Sequence, residues 1–218
     1  MAHVRQVFAV LTLLAVQSAS AIAQRAVRFG IEGGAALTNF VGGNLTDNEW
    51  RTSPWIGLSV IADRPGALVG LQSGLQVVSK GPAFDVQGAA IGSVRLRYLE
   101  LPLLLRIGPV RPTSRVRPVL LVGGAVGLRI GCAVQVQANN VDASFSCDDA
   151  FFGSQADVQR IDAGLSIGGE LGIPYRNRFV IAPMVRYTHG LINIASDGTD
   201  DYDSRNAALQ IGVGLRFR

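Results

Sequence analysis

The sequence predicts an all-β protein: a closed, antiparallel, up-and-down transmembrane β-barrel of about eight strands. Three observations lead there. Apolar and polar side chains alternate with period two through most of the chain, which marks strands with unlike faces. The alternating segments are about ten residues long, enough to cross a bilayer at a tilt. Short turns and long polar connections take turns between them, as they do in bacterial outer-membrane barrels. Composition agrees with this reading. The 218 residues are 48% hydrophobic and 17% charged and include 26 glycines, too apolar for a disordered chain and too rich in glycine for a helical bundle.

Residues 1–23 read as a signal peptide. Arg5 lies in the short basic start, Val7 to Val16 form the apolar stretch, and Ala21-Ile22-Ala23 fits the small-residue cleavage pattern. The apolar stretch is about ten residues, too short for a spanning helix, which needs roughly 20. The mature barrel is then expected over residues 24–218. No later window is apolar enough for a helical span, and the remaining aliphatics are spread thinly and alternate.

The first strand sets Val27, Phe29, Ile31, Gly33, Ala35 and Leu37 against Arg28, Gly30, Glu32, Gly34, Ala36 and Thr38. A polar stretch, Asn39 to Ser53, follows. The second strand, from about Pro54 to Ala62, carries Ile56, Leu58 and Val60 and stops at Asp63-Arg64-Pro65-Gly66, a tight-turn sequence. The third has Val69, Leu71, Leu75 and Val77 opposite Gly70, Gln72, Gly74 and Gln76, and a loop is expected from about Lys80 to Ser93. The fourth alternates most clearly: Leu99, Leu101, Leu103, Leu105 and Ile107 against Tyr98, Glu100, Pro102, Leu104 and Arg106. After the Pro- and Arg-rich turn Gly108 to Arg117, the fifth strand places Leu120, Val122, Val126, Leu128 and Ile130 opposite Gly123, Ala125, Gly127 and Arg129. The longest polar segment, Gly131 to Asp157, holds both cysteines, Cys132 and Cys147. An exported chain can oxidise them, and a bridge between them is expected to close that one loop. The sixth strand has Ile161, Leu165, Ile167 and Leu171 against Asp162, Gly164, Ser166 and Glu170. The seventh has Phe179, Ile181, Val185 and Tyr187 against Ala182, Met184, Arg186 and Thr188. An acidic loop, Ile192 to Ser204, precedes the last strand, where Leu209, Ile211, Val213, Leu215 and Phe217 oppose Gln210, Gly212, Gly214 and Arg216.

Alternation does not say which face meets water. A soluble barrel turns its aliphatics inward, whereas a membrane barrel turns them outward. The polar face here is full of small residues, which suit the cramped interior of an eight-strand barrel. It also carries charges of both signs near mid-strand: Glu32, Glu100, Arg106, Arg129, Asp162, Glu170, Arg186 and Arg216. These are expected inside the barrel and paired, since an unpaired buried charge is costly. Phe29, Trp55, Tyr175, Phe179, Tyr187, Tyr202 and Phe217 fall near strand ends, where interfacial aromatic girdles lie.

Several segments resemble the PorT-like outer-membrane β-barrel proteins. Arg97 to Arg106 (RYLELPLLLR) is similar to that family's "YLEIPLLLK" strand, and Arg186 to Ile194 (RYTHGLINI) resembles its "RYSxGLxNI" segment. Gly212 to Phe217 (GVGLRF) is similar to its closing "GLGYRF", and Leu71 to Gly81 resembles its "LQPGLLYSQKG" strand; the chain departs from the family in ending on Arg218. The resemblance covers nearly the whole mature chain in the family's order. It implies an eight-strand barrel in the outer membrane of a Gram-negative-type bacterium, and it implies no catalytic set.

Sites of chemistry are few. His189 could serve a lipid-modifying enzyme, with Thr188 and Asp197 nearest in sequence, but Thr188 and His189 point to opposite strand faces. Asp197, Asp200, Asp201 and Asp203 crowd one loop, and Asp142, Asp148 and Asp149 another; neither has the glycine and terminal glutamate of a calcium loop. Gly30, Gly33 and Gly34 lack the strand–loop–helix setting of a nucleotide site, and no cofactor is expected. The net charge of +4 hides two unlike ends, acidic long loops and basic short turns (Arg64, Arg111, Arg115, Arg117, Arg176, Arg178). The arginines are not interleaved with stacking aromatics, so nucleic acid is not an expected partner. The partners expected are outer-membrane lipid, the barrel-assembly machinery during insertion, and an extracellular or envelope protein reached through the long loops. The expected protein is a non-enzymatic envelope component. A lipid-modifying barrel enzyme using His189 and a soluble, exported lipocalin-like carrier are the competing readings.

Overall fold

A computed structural model describes residues 26–42, 48–63, 67–86, 90–108, 116–138, 141–146, 159–176, 178–194 and 204–217. Residues 1–23 lie outside the described residues. Eleven strands run in the order β1 (Ala26–Val41), β2 (Asn48–Glu49), β3 (Arg51–Asp63), β4 (Val69–Lys80), β5 (Ala83–Val86), β6 (Ala90–Ile107), β7 (Arg117–Ala138), β8 (Val141–Ser146), β9 (Ile161–Tyr175), β10 (Phe179–Asn193) and β11 (Arg205–Phe217). Among the described residues there is no helix.

Eight of these strands form the wall. The order β6-β4-β3-β1-β11-β10-β9-β7 is antiparallel throughout, and β6 pairs with β7 to close the ring. Closure joins the chain's two ends: β1 pairs with β11 from Gly30↔Arg216 to Val41↔Arg205. In lipid, a sheet edge would leave amides without partners, and this seam removes the edge. It is built on small residues. A Cβ on Gly34 would lie 2.1 Å from the Ile211 carbonyl oxygen, and one on Gly212 would lie 2.4 Å from the Gly33 carbonyl oxygen. The indole of Trp55 covers the gap, 2.9 Å from the same Gly212 position.

The period-two pattern resolves into two faces. Along β3 burial alternates strictly, with Ile56 (68% exposed) and Leu58 (62%) outward and Ser53, Trp55 and Ser59 inward. On β6, Leu101, Leu103 and Leu105 are exposed, while Glu100, Leu104 and Arg106 are buried. Aliphatic side chains therefore coat the outside and ionic ones fill the inside, the reverse of a soluble carrier barrel.

Three expectations need correction. The segment Gly131 to Asp157 is not a loop throughout: β7 continues to Ala138, making it the longest strand at 22 residues, and pairs beyond the wall with β8. A register shift opposite Arg97 and Tyr98 turns Cys132 and Val134 inward, so the alternation resumes on the opposite parity, which the polar composition obscures. The expected loop from Lys80 similarly contains β5, which pairs with the first residues of β6. Trp55 is 3% exposed and faces the interior, not an aromatic girdle. The girdle at the turn end consists of Phe29, Tyr175, Phe179 and Phe217, with the last two rings edge-to-face at 5.7 Å.

Candidate functional site: the barrel interior

The interior is lined by polar and ionic side chains along the length of the wall. This lining arises because each wall strand sends every second residue inward. β4 contributes Gln72, Gln76 and Lys80 at four-residue steps on one face; β6 contributes Tyr98, Glu100 and Arg106. Glu32 comes from β1, Asp162 and Glu170 from β9, Arg186 from β10, and Asn206, Gln210 and Arg216 from β11.

At the turn end, the Glu170 carboxylate pairs with both Arg106 and Arg216. Arg216 also lies 3.9 Å from Glu32. Gln72 links the pair, donating to Glu32 at 3.4 Å and accepting from Arg106 at 2.5 Å. In the middle, Arg186 donates to Gln76 at 2.5 Å and to Gln210 at 2.7 Å and 3.0 Å. Its guanidinium lies over the Trp55 ring, 5.8 Å from the centroid. Gln76 donates to Glu100 at 2.6 Å. At the loop end, Lys80 pairs with Glu100 and lies 2.9 Å from Asp162, with its ammonium 5.5 Å from the Tyr98 ring centroid. Asn206 donates to Asp162 at 3.0 Å. Ala36, Trp55, Val78, Leu96, Tyr98, Met184 and Ile194 form an apolar cluster packed among these groups.

Lys80, Arg106, Arg186 and Arg216 face Glu32, Glu100, Asp162 and Glu170, all of them buried, and Arg51 is a further buried cation held by neutral oxygens. In a low-dielectric interior each partner is needed, since a lone ion there is heavily penalised. Arg129 lies on the same face of β7 but is only half-buried, near the loop end. The sequence does not mark the lysine as a member, because it falls at the start of the expected loop. Its parity is the missed signal, since it continues the series Gln72, Gln76 and Val78. The glutamines were visible as a polar face but not as the links between ion pairs.

Among the described residues, the remaining candidates do not assemble into a reactive site. His189 is half-buried, its Nδ1 lies 3.4 Å from the Tyr187 hydroxyl on its own face, and Thr188 points inward to hydrogen-bond Ser166 at 2.8 Å. Asp197, Asp200, Asp201, Asp203, Asp148, Asp149 and Tyr202 lie outside the described residues, as does the side chain of Asp142. Among the described residues no cluster of three or more His, Cys, Asp or Glu side chains could hold a metal. Cys132 is half-buried against the apolar cluster, and Cys147 lies outside the described residues.

No curated protein matches the sequence significantly. Several solved outer-membrane barrels are similar to the chain. Neisserial surface protein A is 12% identical, with 88% of this chain and 98% of that one covered at a TM-score of 0.47. OprG of Pseudomonas aeruginosa is 16% identical, with 89% and 98% covered at 0.49. Outer membrane protein W of E. coli is 15% identical, with 88% and 98% covered at 0.48. A family model described as the outer membrane protein beta-barrel domain matches residues 16–196, well over half of the sequence. With the aliphatic band outside, the ionic core inside and that match along its length, the chain belongs to the outer membrane protein beta-barrel domain family.

Proposed function

We propose that this barrel is a non-enzymatic, non-conducting envelope protein of the PorT-like type, exported by the signal peptide at residues 1–23 and barrel over 24–218, recognising partners through its long loops. The observation that carries the reading is the ion-filled core. A lumen filled by Arg186, Arg216, Glu100 and Glu170, which are bonded to one another or through glutamines, leaves room for side chains rather than for a current. The β5–β6 and β7–β8 pairings extend the wall beyond the aliphatic band and offer a stiff base for recognition. A disulfide between Cys132 and Cys147 completes that extension, and the β7–β8 register that supports it pairs their sequence neighbours Ala133 and Ser146. The acidic long connections face the outside and the basic short turns the periplasm.

The test has two arms. Purified protein in planar bilayers is expected to show no stable unitary conductance, and large steady currents would end the non-conducting reading. An epitope inserted between Asp148 and Asp149 is expected to bind antibody on intact cells, and one in the turn at Arg111 only on lysed cells. The opposite pattern would invert the orientation.

A further inference from the structure

The aliphatic band on β6 ends abruptly. Leu105, Leu103, Leu101 and Leu99 lie on the outer face, and the next two outward positions are Arg97 and Arg95, both exposed. Each two-residue step advances about 7 Å along a strand, so these guanidiniums stand in the headgroup layer rather than in hydrocarbon. They face away from the lumen, and no interior carboxylate can serve them. Among the described residues neither Arg95 nor Arg97 has an ion-pair partner.

The wall forms a groove at this level. The β3–β4 ladder ends at Trp55↔Val78, and the strands diverge above it. Arg51 fills part of the opening, 8% exposed. It donates to the Gly81 carbonyl at 3.3 Å, to Ser79 Oγ at 3.0 Å and to the Lys80 carbonyl at 3.1 Å, all neutral oxygens. Arg95 acts on Arg51 by charge repulsion. The register places Ser79 across from Arg97, and Arg97 across from Gly131. The resulting groove has a volume of about 690 Å³, lined by Arg51, Arg95 and Arg97 with Ser79, Gln135 and Ser144. Three like charges and neutral hydroxyl and amide groups converge on it.

We infer that this groove holds the phosphate of an anionic lipid headgroup in the membrane leaflet on the long-loop side. A phosphate offers what the groove lacks, a delocalised negative charge that accepts from several guanidinium forks at once. Hydrocarbon and water meet at this height of the wall, so a membrane lipid, anchored by its chains against Leu99 and Ile56, reaches the groove without a separate binding event. The inference rests on the outward-facing aliphatic band. It does not depend on whether the lumen conducts, so the bilayer recordings and the experiment below can fail separately.

The test uses the full mature protein in detergent micelles containing equal amounts of phosphatidylglycerol and phosphatidylcholine. Lipids retained on the barrel are counted by native mass spectrometry. Wild-type protein is expected to keep phosphatidylglycerol preferentially. Arg95→Gln with Arg97→Gln is expected to weaken that retention about thirty-fold, the effect of two guanidinium charges near an anionic surface. Arg95→Lys with Arg97→Lys should restore most of it. Both side chains are exposed, and heat-shifted gel mobility checks that each variant is folded; if the double variant is not, Arg97→Gln alone is expected to weaken retention about five-fold. Equal retention of the two lipids by wild type, or unchanged retention in the glutamine variant, overturns the inference. So does displacement of the lipid by sodium phosphate at equal concentration, which would make the groove a site for soluble anions.

Discussion

Glu170 holds two buried arginines, and for Arg106 it is the carboxylate partner among the described residues. Arg106 pairs with Glu170 and hydrogen-bonds Gln72; Arg216 has Glu170 close by and Glu32 at 3.9 Å. Neutralising it by Glu170→Gln keeps the shape of the side chain but leaves the Arg106 guanidinium without its anion. The expected loss is about 3–5 kcal/mol, the range for breaking a buried pair by removing one partner. Reversible urea unfolding in micelles measures it, and a loss under about 1 kcal/mol, the range of a surface pair, would show that the core is hydrated enough to screen the charges. Lys80 occupies the equivalent position at the other end, shared by Glu100 and Asp162. Each end of the barrel thus has a three-ion cluster, two cations on one anion below and two anions on one cation above. The glutamine–arginine layer of Gln76, Gln210 and Arg186 is bonded to the upper cluster through Glu100.

The strand is the scale at which the two faces become distinct energies. On β6 the neighbours Glu100 and Leu101 lie on opposite sides of a single sheet, one 3% and the other 52% exposed. Leu101 sits in the middle of the run Leu99 to Leu105, at the depth where hydrocarbon is thickest. Leu101→Arg is expected to cost about 2–4 kcal/mol, the penalty for an arginine on the lipid face at the bilayer midplane. Equilibrium unfolding from lipid vesicles measures it. A neutral effect would mean that the outer face of β6 does not contact lipid. The alternation of this strand was fully legible in sequence, and so was its inner Arg106. The inward turn of Trp55 was legible only by parity, because aromatic residues near strand ends also suit a girdle. What decides its orientation is the space over Gly212 and the cation beneath it, both contributed by distant strands.

At the scale of the whole molecule, closure is the property that makes the rest possible. The seam between β1 and β11 brings Gly33 and Gly34 against Val213 and Gly212. Gly212→Val would place a branched side chain where the Gly33 carbonyl and the Trp55 ring already stand. Overpacking of this kind costs about 1–3 kcal/mol. The expected result is a lower temperature for conversion of the fast-migrating folded band to the slow unfolded band on gels. An unchanged conversion temperature would show that the seam yields without cost. The pairing of charge is also a property of the whole, since most inward ions find their partners on other strands. β4 carries a single cation there and β9 two anions, and they meet only when the ring closes.

The sequence by itself determined the fold class, the eight wall strands and which residues share a face, because a period of two is a local property of extended backbone. Gln72 and Leu71 are assigned to opposite sides by nothing more than their numbers. The tertiary structure decided what each inward residue meets. Lys80 lies 82 positions from Asp162 along the chain, and Gln76 lies 110 from Arg186. Those partnerships depend on the register of every pairing between them, and each register is set by packing across the barrel. The extent of β7, and the strands β5 and β8 in segments of polar composition, were likewise settled by pairing partners rather than by hydrophobicity, since a strand above the aliphatic band needs a neighbour's amides but no apolar face.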